Sequence, residues 1–543
     1  MTGARKPPID PLTGPTAILE GRIVTMNAAN TVIASGRVYI KAGTLTAVQS
    51  ADAPPPAGFS GVSVTRTHGT LYPGLIELHN HLSYNALRLW AVPKKFSNRD
   101  QWGGIAEYRQ RVSGPMTIIG ETPELLPALV RYVEAKCLVA GVTTSQGIAL
   151  FSNAGVRRFY RGIIRNVEAT DEAALPEATT RIADVDMQSA SKFLERLKKE
   201  SCFLLHLSEG VDETARKHFQ ALQIGGDHWA ITPQLTGIHA AGLKATDWDI
   251  YGARGAAAVW SPLSNLLLYG DTAQIAAAKA ANVRLGLGSD WSPSGSKNLL
   301  GELKVAKLWS DHHRIFTAIE LVAMVTRTAA SILGWNAVLG SLEPGKRADI
   351  SVVDGVDGDP YDHLLTAKEA DMALVVINGV PRFGTPALFS ALNVSGETVK
   401  IGSASRRLFL TQDTQDPQVG KISLSHAAEA LQATLKKLPA LAKQLEKPKA
   451  LMRGPLRAAA PVWRLALDEI VDTGVSVRPR LPLAHRHTGA RALAGAGTLP
   501  LSKIVRPLIL DPLSVAGDAE FLPSIRAQRN LPPWLAEELV NLY

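Results

Sequence analysis

The chain has 543 residues, of which 46% are hydrophobic and 20% charged, a balance typical of globular proteins and not of disordered ones. This length exceeds one ordinary domain. The formal net charge of +9 is attributed to a solvated surface, because the basic tail lacks the interleaved aromatic residues of nucleic-acid-binding modules. A nucleic-acid partner is therefore not expected.

The sequence also bears on the cellular compartment. No apolar run reaches the ~18 residues that a membrane span requires. Residues 1–15 contain four prolines and no apolar segment of the kind found in secretory signals. Only Cys137 and Cys202 occur, which argues against a disulfide framework. We therefore expect a cytoplasmic protein that does not bind a membrane.

Strand-like and helix-like segments follow one another in a regular order. Two β-type segments, 16–26 and 37–48, fall within 16–70 and predict the first part of a small β-domain. Strand-like runs then alternate with helical patterns from 71 to 338, which predicts an α/β fold with a (β/α)8 TIM barrel. The eight runs are 71–81, 141–149, 161–169, 179–185, 201–207, 236–240, 256–260 and 283–289.

Beyond the predicted barrel the pattern changes twice. Residues 339–394 return to strand pattern and are predicted to complete the small β-domain as a β-sandwich built from both flanks. Residues 395–543 form a C-terminal extension of unknown role, in which 425–447 predict an amphipathic helix. The pair His485 and His487 is interpreted as surface, since it lies in a Pro/Arg/Gly-rich context. Barrel cladding or a dimer contact is expected of the extension, and a homo-oligomer is compatible with the sequence.

Metal-ligating residue types stand where several predicted strands end. His79 and His81 alternate at the end of a buried strand, so both can face one ion. His206, His239 and Asp290 each close an apolar run before a polar or glycine-containing loop, which in a parallel barrel is the rim where active sites are built. Imidazole nitrogens and a carboxylate are suitable ligands for a divalent cation. These five groups predict a metal site.

The same residues lie in motifs that resemble the amidohydrolase superfamily, in particular the branch of guanine, cytosine and adenosylhomocysteine deaminases and triazine hydrolases. The resemblance covers about residues 16–390. Its motifs are Pro73-Gly-Leu-Ile-Glu-Leu-His79-Asn-His81, Gly141-Val-Thr-Thr, His206-Leu-Ser-Glu209, His239-Ala, Ser261-Pro-Leu-Ser264-Asn265-Leu, Gly288-Ser-Asp290 and Gly340-Ser-Leu-Glu-Pro-Gly-Lys-Arg-Ala-Asp349.

The resemblance implies a set of ligands and roles. One zinc or iron ion would be held by His79, His81, His206 and Asp290. Two-metal members use a carboxylated lysine on a middle strand, and no lysine occurs from 138 to 191, so a mononuclear site is implied.

Catalytic roles are implied as well. The bound ion would lower the pKa of a water molecule towards ~7. Asp290 would accept a proton, and Glu209 would protonate a ring nitrogen or leaving group. His239 would polarise the attacked carbon's heteroatom, donate to the water, or approach the metal. Trp291 and Tyr84 are predicted to bind substrate.

The predicted function is hydrolysis of a non-peptide C–N bond in a cyclic or aromatic small molecule, by deamination or by cyclic amide or amidine opening. Triazine-type dechlorination or amine release is the alternative, and a catalytically silent scaffold is the alternative from another class. Trp260-Ser261-Pro262 replaces the His-Cys-Pro of many deaminases in this branch, which argues against a purine or nucleoside. The loop after His81 contains Tyr84, Trp90, Phe96 and Trp102 and is called the aromatic loop. It either covers a flat ligand as a lid or packs on the barrel.

Overall fold

The structure is a computed structural model. It describes residues 14–153, 155–170, 172–412, 422–447, 462–467 and 499–543. The pair His485 and His487, interpreted above as surface, lies outside these residues.

Twenty-two strands are assigned in the described residues. In chain order they are β1 (Ala17–Val24), β2 (Val32–Lys41), β3 (Thr44–Ser50), β4 (Val64–Pro73), β5 (Leu75–Ile76), β6 (Val142–Ser145), β7 (Ala149–Ser152), β8 (Arg157–Phe159), β9 (Arg165–Asn166), β10 (Thr179–Arg181), β11 (Phe203–Leu207), β12 (Gln223–Gly225), β13 (His228–Trp229), β14 (Leu235–His239), β15 (Ala257–Trp260), β16 (Arg284–Leu287), β17 (Ile350–Asp354), β18 (Met372–Ile377), β19 (Val380–Gly384), β20 (Glu397–Ile401), β21 (Ala404–Leu408) and β22 (Trp463–Leu465).

Most of the α-helices lie in the barrel and the extension. In chain order they are α1 (Ala106–Tyr108), α2 (Gly114–Gly120), α3 (Leu126–Val139), α4 (Ala190–Leu197), α5 (Glu213–Gln220), α6 (Ala245–Ala253), α7 (Pro262–Tyr269), α8 (Ile275–Ala280), α9 (Leu299–His313), α10 (Ala318–Met324), α11 (Arg327–Leu333), α12 (Pro360–Thr366), α13 (Pro386–Ala391), α14 (Leu424–Lys436), α15 (Leu438–Leu445), α16 (Leu501–Ile504), α17 (Phe521–Arg526) and α18 (Pro533–Asn541). None is long and apolar enough to cross a membrane.

Both flanks of the barrel join in one sheet. Its order is β20-β21-β19-β18-β17-β4-β1-β2-β3, and β1 and β4 are its parallel pair. Within the described residues this is a single nine-stranded sheet, not the two facing sheets of the predicted sandwich. The difference arises at β4, which pairs with β1 on one edge and with β17 on the other and so makes the two flanks continuous. β20 and β21 lie beyond residue 394, where the extension was predicted to begin.

Each of the eight predicted barrel runs contains a strand, but the strands do not form one continuous ladder. β5, β6 and β9 form one parallel arc, and β10, β11, β14, β15 and β16 form a second. Backbone hydrogen bonds span both seams, from Ala178 to Val167 and from Leu78 to Leu287. A closed ladder is therefore not observed, although the two arcs supply the eight parallel strands of a TIM-barrel fold.

The barrel strands are buried on both faces, as parallel strands between helices must be. In β11 every residue is buried, and Leu204 packs with Ile238 and Val259 whereas Phe203 belongs to a different apolar cluster. Because side chains alternate along a strand, His206 shares a face with Leu204. The strand thus carries an imidazole at the end of an apolar face.

The described part of the extension packs on the barrel. The single helix predicted over 425–447 is two helices, α14 and α15, because Pro439 lies in the first turn of α15 and cannot continue the preceding helix. Leu431 and Leu435 of α14 are fully buried in the main core. Further along, Leu535 of α18 joins the same core. Cladding of the barrel, one of the two expected roles of the extension, is what these contacts provide.

Candidate active site

The carboxyl ends of the barrel strands bend sharply where the polar residues begin. His239 and Asp290 have φ values of 65° and 64°, in the left-handed region that costs a non-glycine residue about 1–2 kcal/mol. Gly288 precedes Asp290 and lies so close to His79 that an added Cβ would be 2.5 Å from the His79 Cβ. A glycine is therefore needed for β16 to approach the His79 strand end.

Three imidazoles and a carboxylate converge at this rim. His79 Nε2 and His81 Nε2 lie 3.1 and 3.4 Å from Asp290 Oδ1. His206 Nε2 lies 3.3 Å from His81 Nε2. His239 also belongs here, since its ligand atom lies within 4.8 Å of those of His79 and His206. All five predicted groups therefore meet in one cluster.

The side-chain amides of Gln146 and Asn265 determine which ring nitrogen carries the proton in His79 and in His239, respectively. Gln146 Oε1 accepts a hydrogen bond from the Asn80 N–H, so it is an oxygen, and it lies 3.3 Å from His79 Nδ1. Asn265 Oδ1 lies 2.9 Å from His239 Nδ1. An amide oxygen only accepts, so each Nδ1 must donate and each Nε2 keeps its lone pair. Both Nε2 atoms are thus prepared to bind a cation.

Burial keeps the imidazoles of His79 and His206 neutral. It lowers the pKa of His79 to about 4, because removal from water penalises the imidazolium more than the Asp290 carboxylate favours it. It also lowers the pKa of His206 well below its usual range. Burial alone would raise the pKa of Asp290, but the neighbouring imidazoles of His79, His239 and His81 together outweigh it and the pKa falls. The imidazoles of His79 and His206 are therefore neutral beside an ionised carboxylate.

This donor set fits a divalent cation. His79 Nε2 is buried and makes no hydrogen bond with the described residues, although Asp290 is close. A buried nitrogen lone pair without a donor is costly unless a cation accepts it. Imidazole and carboxylate ligands are those that zinc and iron prefer.

The carboxylate of Asp290 is held at both oxygens. Ser264 Oγ donates to Oδ2 at 2.6 Å, while Oδ1 faces the imidazoles. Ser264 and Asn265 both lie in the first turn of α7, so this helix start braces Asp290 and His239 together. Neither residue is left free to bind substrate through the group that makes these bonds.

Glu209 lies on the other side of His239. Its Oε2 is 3.9 Å from His239 Nε2, and its Oε1 accepts a hydrogen bond of 2.8 Å from the Tyr269 hydroxyl. Tyr269 in turn accepts from Trp102 Nε1 at 3.0 Å. The Glu209 carbonyl also accepts from the Arg99 N–H. Glu209 is therefore held by Tyr269 of α7 and by the backbone of Arg99 in the loop after His81.

The aromatic loop mainly packs. Tyr84, Trp90 and Phe96 are at most 2% exposed, which leaves them almost no surface for a ligand. Trp291 lies 5.5 Å from the His81 ring and 5.0 Å from Tyr84, measured between centroids, and Trp102 retains partial exposure. Trp291 and Trp102 thus border the site, whereas the buried Tyr84 packs against both Trp291 and His81.

Three supporting residues escaped the sequence analysis. Gln146 follows β6 and could have been found as a polar strand-end residue. Glu77 is buried and accepts from Asn80 Nδ2 and Ser289, so it ties the two ligand-bearing strand ends together. Tyr269 carries no sequence signal for its role, because its contact with Glu209 spans 60 residues.

Residues 230–382 match the model of the amidohydrolase family. Over this segment the chain is similar to the amidohydrolase family. Curated relatives include 5-methylthioadenosine/S-adenosylhomocysteine deaminases of Symbiobacterium thermophilum, 23% identical over 68% of this chain and 88% of the relative, and of Teredinibacter turnerae, 29% identical over 34% and 43%.

Solved structures with the same fold include an adenosine deaminase from Xanthomonas campestris with bound zinc, with 14% identity and a TM-score of 0.51 over 79% of this chain and 100% of that chain. A triazine hydrolase from Arthrobacter aurescens has 20% identity and a TM-score of 0.51 over 67% and 94%. These similarities indicate a hydrolase of carbon–nitrogen bonds, and the deaminase relatives imply a small-molecule substrate.

Proposed function

We propose that the chain deaminates, or opens a cyclic amide or amidine in, a cyclic or aromatic small molecule. The observation that carries the proposal is the meeting of His79, His81, His206 and Asp290 beside Glu209. Deaminase relatives in the curated comparison favour ammonia as the leaving group. The proposed ion is a single zinc or iron.

Each residue has a defined task in this proposal. His79, His81, His206 and Asp290 would hold the ion, which when bound would make a water molecule more acidic. Asp290 accepts a proton from that water, because its Oδ1 faces the imidazoles while Ser264 holds Oδ2. With its Nε2 unprotonated, His239 is proposed as a further ligand or as a hydrogen-bond acceptor for the water.

Glu209 carries the proton to the substrate. Its Oε2 is directed towards His239, and Tyr269 restrains Oε1, so the free oxygen is the one on the side of the cluster. From there it would protonate a ring nitrogen or the departing amine. Trp291 is proposed to contact the flat face of the substrate, and Tyr84 acts through Trp291.

Triazine-type dechlorination or amine release is the second candidate. It is favoured by Trp260, which stands where many deaminases of this branch have histidine, and whose buried indole donates to Thr272 Oγ1 at 2.8 Å. That N–H is therefore not available to a purine. The same residues would serve this reaction, since only the leaving group differs.

Metal analysis and a substrate screen test the proposal together. The purified protein should contain about one zinc or iron ion per chain, because the proposed ligand set holds a single ion. Release of ammonia should be followed with pterins, purines, pyrimidines and triazines, and Asp290→Asn should abolish it in a folded protein. A folded protein that binds no metal would favour the silent scaffold. If none of these compounds releases ammonia, the proposed reaction becomes the opening of a ring amide.

A further inference from the structure

A neutral cluster of four buried charges joins the C-terminal extension to the barrel. Asp511 and Asp518 come from the extension, whereas Lys136 comes from α3 and Lys297 from the loop after Asp290. Lys297 Nζ lies 2.6 Å from Asp511 Oδ1 and 2.8 Å from Asp518 Oδ2, and Lys136 Nζ lies 2.5 Å from Asp511 Oδ2. All four residues are at most 6% exposed.

Asp511 is the member that both ammonium groups share. Burial alone would raise its pKa, but Lys136 and Lys297 outweigh this and hold the pKa below its usual value. Such a buried ion pair is costly to break, because removing one partner leaves a charge without compensation. Its geometry is therefore strongly constrained.

From Lys136 a continuous chain of hydrogen bonds leads to Asn80 and Ser292, which lie beside the candidate metal ligands in sequence. Lys136 Nζ also donates to Asn85 O at 2.8 Å and to Ser292 Oγ at 2.9 Å. Asn85 accepts from the Ser292 N–H at 2.8 Å and donates to Asn80 Oδ1 at 2.9 Å. Asn80 lies between His79 and His81, and Ser292 lies two residues after Asp290. The ammonium thus restrains both ligand-bearing loops at once.

We propose that Asp511 is a positioning residue for the metal centre: through Lys136 it fixes the loops that carry His79, His81 and Asp290. The inference rests on the metal centre of the proposed function. It assigns a task to the C-terminal extension, which supplies Asp511. Partners outside the ligand shell commonly change metal affinity about 10- to 100-fold.

The test compares zinc affinity with stability in the full-length chain. Zinc dissociation constants are measured by competition with a chelator, and unfolding midpoints are measured on the metal-free protein. Asp511→Asn should weaken zinc binding about 10-fold or more. Ser292→Ala removes one hydrogen bond of the same chain without changing a buried charge, and it should weaken zinc binding about 2- to 10-fold.

Asp349→Asn is the matched control. Asp349 directly precedes β17, is 3% exposed and pairs with the buried Arg165 of β9. It makes none of the hydrogen bonds that connect Lys136 with Asn80. It should lower the unfolding midpoint and leave zinc affinity unchanged.

Three results overturn the proposal. These are wild-type zinc affinity in Asp511→Asn, wild-type affinity in Ser292→Ala if Asp511→Asn does not fold, and an equal loss of affinity in Asp349→Asn. If the wild-type chain binds no zinc or iron, the proposed function fails as well, and that outcome is distinct from the other three.

Discussion

Substituting Gly288 by alanine should separate β16 from the His79 strand end. The new Cβ would lie 2.5 Å from the His79 Cβ, 2.6 Å from its carbonyl oxygen and 2.7 Å from its nitrogen. Ordinary carbon contacts are about 3.5–4.0 Å, so one strand must move by roughly 1 Å. Overpacking of this kind costs about 1–3 kcal/mol of stability. The Asp290 N–H to His79 carbonyl bond of 3.1 Å would also lengthen.

The same movement acts on the metal. Zinc–nitrogen and zinc–oxygen bonds of about 2.0–2.2 Å leave no room for a displacement of this size. Loss of a residue that is hydrogen-bonded to a metal ligand commonly weakens metal binding about 10- to 100-fold. We expect Gly288→Ala to weaken zinc binding by at least this much, because a ligand itself is displaced. Zinc affinity is measured by chelator competition and stability by urea unfolding of the metal-free protein. Gly103→Ala is the control, because its Cβ would meet no atom within 4 Å. Unchanged zinc affinity and stability in Gly288→Ala would refute the reasoning.

Three further substitutions test the surroundings of the site. Gln146→Leu removes the acceptor of His79 Nδ1–H and should weaken zinc binding about 10- to 100-fold in chelator competition. Tyr269→Phe removes the hydrogen bond that the hydroxyl donates to Glu209. A hydrogen bond to a charged group contributes about 1.5–3 kcal/mol, so kcat of ammonia release should fall about 10- to 150-fold with KM nearly unchanged. Burial raises the pKa of Glu302 to about 8 from 4.5, so the folded state binds an extra proton between these values and loses stability as pH rises from 4.5 to 8. Glu302→Gln should flatten that decline in urea midpoints.

Each of these has a contradicting result. Wild-type zinc affinity in Gln146→Leu would mean that the tautomer of His79 does not depend on this amide. A rise in KM with constant kcat in Tyr269→Phe would make Tyr269 a substrate-binding group instead. An unaltered pH dependence in Glu302→Gln would assign the decline to other groups.

The sequence predicted strand positions better than it predicted how strands assemble. All eight barrel runs contain a strand because buried parallel strands are continuous apolar runs bounded by loops, which is a local property. That both flanks join in one β-domain was predicted, but the strand pairing was not, since β4 pairs with β1 on one edge and with β17, some 280 residues later, on the other. Pairing partners that distant leave no local signal.

The candidate metal ligands could be proposed from residue order, because each closes an apolar strand and strand ends of a parallel barrel meet at one rim. The groups that orient them could not. Gln146, Tyr269 and Asp511 act through contacts spanning 67, 60 and 375 residues, respectively. Their positions follow from how helices and the extension pack on the barrel, and that packing is a collective result of many side chains that no short stretch of sequence encodes.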